Sequence, residues 1–500
     1  MRSAIPDRHS LHSYLLCVNR HCSFNCHPLD SAHHPVGGEI ADAPLHRQTL
    51  LFRYGVAACC GCRRWILSYA AIDFQLKDMS MNCSRFIGVV FGIVCSFIIG
   101  ITSAWADENN WVESWAAAPD QAGKPLQALT VREVVRTSMG GAKVRIRFSN
   151  LYGTGPVSIA AAHVALHASG SAIQPGTDHP LTFGGSPVLT MNKGESVLSD
   201  PVNMSVAPLQ ELAISLYIKT DTGPSTIHGV AMASTYIKND VDATAAINLD
   251  ATKTVTSWYF LSDVEVAGND HSGSIVAVGS SIEDGVGSTM DANRRWPDLL
   301  ASRLQSGVDN AGLASIGVAN SGIAGNRLLR DADDPFRGYS VLHRLDRDVL
   351  DKPGVRWVIL DIGINDIGAS TVLGKADAQA SARQIIDGMK ELIARAHAKN
   401  INVIGATLTP CAGVDFGSGK HSYYSVAGET KRKTINYWIR NAHAFDGVVD
   451  FDKILRDPKR LDHINPTFDS GDHLHPNDAG YKAMADAVDL RLFGYKPIVR

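Results

Sequence analysis

The sequence has few cysteines after its first hundred residues and no strong excess of charge. Eight of its nine cysteines lie at or before Cys95, and Cys411 alone follows. Once the N-terminal part is set aside, the main body therefore cannot form an internal disulfide. A formal net charge of -3 gives no electrostatic reason to expect a nucleic acid or an anionic membrane surface as partner. The 45% hydrophobic content is typical of globular proteins, and 500 residues suggest two or three domains.

Residues 1–80 differ in composition from the rest of the chain. They are rich in His, Arg and Cys and show no sustained hydrophobic periodicity. Cys22, Cys26 and His27 could bind zinc, but their spacing does not match the usual paired Cys-x-x-Cys ligands. We interpret this segment as a poorly structured leader, or as residues that precede the natural translation start.

Residues 81–106 have the three parts of a secretory signal peptide. Arg85 supplies the positive charge, residues 86–101 are apolar, and Ala104 and Ala106 form a small-x-small cleavage pattern. A membrane anchor is the alternative, although the apolar run is short for a span. We expect translation to start at Met79 or Met81, cleavage before residue 107, and a secreted or periplasmic protein.

Residues 107–268 show the alternation that is typical of β-strands. Apolar side chains alternate with other residues over 144–148 and 212–218, and glycine-rich turns separate such runs. The pattern predicts an all-β sandwich or jelly-roll-like domain. This domain could bind polysaccharide, shape the rim of an active site, or serve only as a structural companion.

From residue 269 to residue 500 strands alternate with helices. The expected buried strands are 275–278, 316–319, 356–362, 401–407 and 448–451, and the expected helices include 385–396, 430–444 and 479–492. This order predicts a parallel sheet with helices on both faces. A polar, turn-rich linker at 267–273 separates it from the β region.

Ser281 follows the first of these strands, where open α/β sheets bind their ligands. A serine hydroxyl needs a base to become a nucleophile, usually a histidine that a carboxylate orients. His475 precedes the last helix, and Asp472 lies three residues before it. Ser280 is the alternative nucleophile, and His473 is the alternative base.

Two further stretches could stabilise the negative oxygen that forms when a serine attacks an ester. Residues 320–326 contain glycines whose backbone N–H groups can approach a ligand closely. Residues 363–366 follow a buried strand, and Asn365 can present its side-chain amide there. Because both follow strands of one parallel sheet, we expect them near Ser281.

Taken together, these stretches resemble the four blocks of the SGNH (GDSL-type) hydrolases, in that family's order. The blocks are 279–285, 320–326, 363–366 and 472–476. The resemblance implies a three-layer α/β/α sandwich of the flavodoxin-like kind. It implies Ser281, His475 and Asp472 as a catalytic triad, with Ser281, Gly325 and Asn365 forming the oxyanion hole. Residues 293–298 and 405–410 look like the secreted arylesterase- or xylan-esterase-like subgroup, which carries a β-rich domain ahead of the hydrolase domain.

Block one departs from the family pattern at two positions. Ser280 stands where the family has Asp, and Glu283 stands where it has Thr. The family's Asp helps to hold the active-site loops, so we expect altered loop stability or rate. For Glu283 we expect a solvent-facing side chain, with repulsion of anionic substrates as the alternative.

The sequence therefore predicts a secreted serine esterase that acts on acetyl or short-chain acyl esters, either of a plant polysaccharide or of a small aryl or alkyl alcohol. The resemblance implies no metal and no organic cofactor. Two alternatives remain open. One is a carbohydrate-binding protein whose hydrolase-like domain has lost turnover, and the other is an acyltransferase to sugars.

Overall fold

The computed structural model describes residues 110–306, 313–333, 335–375, 380–414 and 423–494. The leader, the cysteine-rich zinc candidate and the predicted signal peptide lie outside these residues. The described residues all fall within one compact unit. Among them, no helix is both long and apolar enough to cross a membrane.

The first part of the described chain consists of antiparallel sheets. One sheet joins four strands in the order Trp111–Ala116, Leu261–Ala267, Val144–Ser149 and Ser196–Leu198. A larger sheet has the order Lys253–Val255, Thr235–Asn239, Leu129–Arg136, Glu211–Ile218, Ala161–Ser169 and Ala172–Ile173, and His179–Pro180 pairs with its Ala161–Ser169 strand. Smaller sheets join Trp258–Tyr259, Thr226–His228 and Gln121–Ala122, and Val157–Ile159 with Leu189–Met191. This region is all-β, as predicted.

Alternation explains why these segments form strands with a shared core. In the Val144–Ser149 strand, Val144, Ile146 and Phe148 are fully buried, while the two arginines between them are partly exposed. A strand turns successive side chains to opposite faces, so the apolar side chains pack in the core and the arginines lie on the more exposed face. Trp115 and Trp258 meet edge to face in the same core, with ring centroids 4.9 Å apart.

The second part contains a five-stranded parallel sheet. Its spatial order is Ile316–Gly322, Gly273–Gly279, Val355–Asp361, Asn402–Ala406 and Gly447–Val449. In chain order this is 2-1-3-4-5, the flavodoxin-like order, whose ligand crevice lies at the carboxyl ends of the strands. The predicted strands are confirmed, with ends that shift by up to three residues.

Side-chain alternation in the sheet explains the helices on both faces. Val276 and Val278 pack into one apolar cluster, whereas Ile275 and Ala277 pack into another. Each cluster also contains helical residues, so the sheet is the middle of three layers. The helices are Ser281–Asp284, Trp296–Gln305, Val341–Leu345, Ile364–Leu373, Ala382–His397, Val426–Asn441, Phe451–Leu455 and Asp478–Ala487, with a π-helical turn at Asp346–Leu350 and a 3-10 turn at Leu490–Phe493.

The predicted last helix at 479–492 is too long. The helix ends at Ala487 because Val488 adopts an extended backbone. Arg303 donates to the carbonyl oxygens of Ala485 and Val488, which satisfies groups at the helix end. Asp489 then caps the separate 3-10 turn.

The β region and the parallel sheet pack directly against each other. Val318 N–H donates to Ser138 Oγ at 2.7 Å, and Glu113 N–H donates to Pro353 O at 2.9 Å. A Cβ at Gly317 would lie 2.5 Å from Glu113 O, so only glycine allows the two strands to approach this closely. The β region therefore rests against the edge strand that leads to residues 320–326.

Candidate active site

The turn after the central Gly273–Gly279 strand presents Ser281. Ser281 begins the Ser281–Asp284 helix, and Ser280 is the residue before it. A Cβ at Gly279 would lie 1.7 Å from Glu283 Oε2 and 2.5 Å from Asp361 O. Only glycine permits this turn, which brings Ser281 Oγ to the carboxyl edge of the sheet.

His475 lies within hydrogen-bond distance of Ser281 across 194 residues of sequence. His475 Nε2 is 2.8 Å from Ser281 Oγ, and His475 Nδ1 is 2.5 Å from Asp472 Oδ2. The N–H groups of Leu474 and His475 both donate to Asp472 Oδ1. Although partial burial opposes it, these bonds and the His475 side chain hold the pKa of Asp472 well below its usual range. Asp472 therefore stays ionised and fixes the imidazole ring.

The alternative side chains do not take part in this arrangement. His473 Nδ1 pairs with Asp469 Oδ2 at 2.6 Å, and the His473 side chain is 54% exposed. Its backbone φ of 64° is a conformation that non-glycine residues rarely adopt. Ser280 is buried, and the short contact of His475 is with Ser281.

Potential oxyanion donors follow the two strands that flank the Ser281 strand, at the same edge of the sheet. In the described part of the chain, the N–H groups of Ser281 and Gly325 donate to no other group. Gly325 has a φ of 78°, which glycine adopts at no steric cost. Asn365 Nδ2 donates to Asn326 O at 2.9 Å, and Asn365 Oδ1 accepts from Tyr423 Oη at 2.8 Å. These two bonds fix the amide orientation and leave the second Nδ2 hydrogen for a ligand.

Two buried side chains hold the surrounding loops in place. Both Asp366 carboxylate oxygens accept backbone N–H groups, from Leu328 at 2.8 Å and Leu329 at 3.0 Å. Arg344 is almost fully buried and donates to Ser321 Oγ and Ser321 O, both at 2.8 Å. The loop that contains Gly325 is therefore tied to two neighbouring elements.

The expectation that Glu283 faces solvent is wrong. Its side chain is fully buried, and Oε2 accepts Ser280 N–H at 2.8 Å while Oε1 accepts Trp296 Nε1–H at 3.1 Å. Burial and the neighbouring Asp361 carboxyl raise the pKa of Glu283, and burial raises the pKa of Asp361 to about 7. The Glu283 side chain can be buried here because each of its carboxyl oxygens accepts a hydrogen bond beneath the Ser281 turn. Because the Glu283 side chain is buried, it also gives no reason to expect repulsion of anionic substrates.

His228, a residue of the β region, contacts the site although no sequence pattern indicated it. His228 Nε2 lies 2.8 Å from Asp284 Oδ1, and Asp284 Oδ2 accepts Ala324 N–H at 2.6 Å. Ala324 directly precedes Gly325. A lone histidine in an antiparallel strand carries no signal of this contact, because the contact depends on how the two regions pack.

No group of three or more His, Cys, Asp or Glu side chains in the described ranges could hold a metal ion. The site instead combines a serine hydroxyl, a histidine with a carboxylate partner, and free N–H donors. Such a set can transfer an acyl group through a serine.

Residues 275–488 match the family model described as GDSL-like Lipase/Acylhydrolase. This match confirms the resemblance that the four blocks indicated. It identifies the parallel-sheet region as an ester-hydrolysing domain of that family. A comparison with curated proteins found no match.

Several solved structures are similar to part of this chain. A carbohydrate acetylesterase family member from Sinorhizobium meliloti is 14% identical, with 44% of this chain and 99% of that chain covered and a TM-score of 0.35. A GDSL-like lipase from Bacteroides thetaiotaomicron is 18% identical, with 44% and 88% covered and a TM-score of 0.32. An α/β hydrolase from the metagenome of Lake Arreo, Spain, is 21% identical, with 44% and 95% covered and a TM-score of 0.32.

Proposed function

We propose that the GDSL-like domain makes this protein a secreted serine esterase, with Ser281 as nucleophile, His475 as base and Asp472 as the carboxylate that orients the base. The observation that carries the proposal is the continuous chain of short contacts through these three side chains, 2.8 Å and 2.5 Å long. The ionised Asp472 favours the His475 tautomer whose Nε2 can accept the serine proton.

In the proposed reaction, Ser281 Oγ attacks the ester carbonyl carbon while His475 Nε2 takes the hydroxyl proton. The carbonyl oxygen becomes negative and accepts hydrogen bonds from Ser281 N–H, Gly325 N–H and Asn365 Nδ2. His475 then protonates the leaving alcohol as the carbon–oxygen bond breaks. Water, deprotonated by His475, attacks the acyl-enzyme and releases the carboxylic acid and free Ser281.

We propose acetyl or short-chain acyl esters of a plant polysaccharide as the substrate class. The predicted export signal favours an extracellular substrate. The β region packs against the edge strand that leads to the oxyanion loop, where it can meet a polymer that extends beyond the scissile ester. Small aryl or alkyl esters should also be hydrolysed, since the acyl-transfer groups need only the ester itself.

The test is hydrolysis of p-nitrophenyl acetate by the purified protein and four alanine variants. Ser281→Ala and His475→Ala should each lose at least about 10,000-fold in kcat. The neighbouring Ser280→Ala and His473→Ala are matched controls and should keep activity within about fivefold. Activity that survives Ser281→Ala but not Ser280→Ala would refute the assigned nucleophile.

Substrate class is tested by comparing acetate release from acetylated xylan and pectin with hydrolysis of p-nitrophenyl esters of increasing chain length. We expect the acetyl and short-chain esters to give the highest kcat/KM. Binding of the polysaccharides without any acetate release would instead support the binding-protein alternative. Transfer of the acetyl group to an added sugar in preference to water would support the acyltransferase.

Export through residues 81–106 is tested by N-terminal sequencing of the protein recovered outside the cytoplasm. Cleavage at the Ala104-x-Ala106 pattern should give Asp107 as the first residue. An intact N-terminus upstream of residue 81 on the exported protein would refute the signal peptide.

A further inference from the structure

The β region contributes a fully buried histidine to the base of the oxyanion loop. His228 ends the Thr226–His228 strand, and its side chain is 2% exposed. Its Nδ1 lies 2.8 Å from Ala118 O, and its Nε2 lies 2.8 Å from Asp284 Oδ1 and 3.1 Å from Val230 O. Asp284, also buried, belongs to the helix that Ser281 begins.

The partners of His228 define its protonation state. The oxygens that face its two ring nitrogens are carbonyl or carboxylate oxygens, which only accept hydrogen bonds. Both nitrogens must therefore carry hydrogen, and the ring is an imidazolium. Although burial opposes the charge, the Asp284 carboxylate raises the pKa of His228 to about 9. His228 and Asp284 thus form a buried ion pair between the β region and the parallel-sheet region.

Asp284 in turn contacts the residues that directly precede two of the proposed oxyanion donors. Its Oδ2 accepts Ala324 N–H at 2.6 Å, and its own N–H donates to Ser280 O at 3.0 Å. Ala324 precedes Gly325, and Ser280 precedes Ser281. Through its carboxylate and its backbone N–H, Asp284 therefore links the two chain segments whose next N–H groups, those of Ser281 and Gly325, point to no other group in the described chain.

We propose that His228 is a positioning residue: by holding Asp284 through a charged hydrogen bond, it fixes the spacing between the Ser281 and Gly325 N–H donors. This inference rests on the proposed function, because the donors matter only if an oxyanion forms. It also gives the β region a defined task in the reaction. Without His228, the Asp284 carboxylate could rotate away from Ala324. The Gly325 N–H would then no longer be held in the direction of the oxyanion.

The primary test is His228→Gln, with His163→Gln as a matched control. His163 lies in the same region and also pairs with an aspartate, Asp178, at 2.8 Å, but this pair belongs to the β region alone. Both variants would be assayed with p-nitrophenyl acetate, and the affinity of phenylboronic acid would be measured. Boron accepts the Ser281 oxygen as His475 takes its proton, and the resulting tetrahedral anion places an oxygen at the donors.

For His228→Gln we expect kcat to fall about 10- to 100-fold, since displacement of catalytic groups by about 1 Å has effects of this size. KM should change less than about threefold, and the inhibition constant of phenylboronic acid should rise by the same factor by which kcat/KM falls. His163→Gln should match the parent in all three. A His228→Gln enzyme equal to the control, or one whose kcat falls while its boronic acid affinity stays parental, would overturn the inference.

Circular dichroism would first establish that each variant is folded. If His228→Gln does not fold, Asp284→Asn and Asp284→Ala carry the test. The Asn amide can accept Ala324 N–H and donate to a neutral His228, so it should keep at least about tenfold more kcat/KM than Ala. Equal activity and equal boronic acid affinity in the two variants would overturn the inference. A parent without turnover, or turnover that survives Ser281→Ala, would overturn the proposed function itself.

Discussion

Replacing Asp361 with asparagine should stabilise the protein, and the gain should grow with pH. Asp361 lies beneath the Ser281 turn beside Glu283, and its Oδ2 has no hydrogen-bond partner among the described residues. Two buried carboxyls in contact cannot both ionise without strong repulsion. In Asp361→Asn, the new Nδ2 can donate to Glu283, which already accepts from Ser280 and Trp296.

The magnitude follows from the pKa of Asp361, which is about 7 in the folded protein against 3.8 for an ordinary side chain. Between these two values the folded protein holds a proton that the unfolded chain has released. Stability of the parent therefore falls as pH rises through this window. At about 1.4 kcal/mol per pH unit, the stability difference between variant and parent should widen by about 2.5 kcal/mol from pH 5 to pH 8.

Urea unfolding followed by tryptophan fluorescence at pH 5 and pH 8 measures this difference. The control is Glu391→Gln, which removes a carboxylate that is 57% exposed and should change stability by less than about 0.5 kcal/mol at either pH. Comparing each variant with the parent at the same pH removes the contribution of titrating groups away from Asp361. Loss of the Asp361 charge also lowers the raised pKa of Glu283, which widens the stability difference with pH in the same direction. An Asp361→Asn difference that stays constant between the two pH values, or that shrinks, would refute the raised pKa of Asp361 in the folded protein.

Two further predictions concern residues that support Asn365 and the Ser281 turn. Tyr423→Phe should lower kcat about tenfold with little change in KM, because the Asn365 amide loses the hydrogen bond that orients it. An unchanged kcat in steady-state assays would argue against Asn365 as an oxyanion donor. Gly279→Ala should destabilise the fold by at least about 3 kcal/mol, because its Cβ would overlap Glu283 Oε2 and the backbone of Asp361. A thermal melting temperature equal to that of the parent would contradict the packing around this turn.

The sequence predicted the parallel sheet well because each strand is a short apolar run with turn residues after it. The carboxyl ends of such strands meet at one edge, so Ser281, Gly325 and Asn365 could be expected near one another before any coordinates. The Asp472–His475 spacing likewise indicated a pair, and the structure gives the contact distances. What spacing could not indicate was that Ser281 begins a helix, or that the last helix breaks at Val488.

The environments of single polar residues were less predictable. Glu283 follows the proposed nucleophile on a short turn, a position where solvent exposure is the ordinary expectation. Its burial depends on Trp296, which lies 13 residues away and donates to it. His228 is further removed, since 56 residues separate it from Asp284. Contacts between regions arise from the packing of whole sheets, which no local pattern encodes.

The two departures in block one are physically connected. Glu283 accepts the N–H of Ser280, the residue that stands where the family has Asp, and it lies in contact with the Asp361 carboxyl. A threonine at 283 could not reach both Ser280 N–H and Trp296 Nε1–H, since it lacks a second oxygen and two methylene groups. An aspartate at 280 would add a third carboxyl next to the buried Glu283 and Asp361 carboxyls, whose pKa values burial already raises, at a cost that burial makes large. A small uncharged side chain such as serine at 280 is therefore compatible with a buried carboxyl at 283, and Glu283 supports the turn that presents Ser281 through its bond to Ser280 N–H.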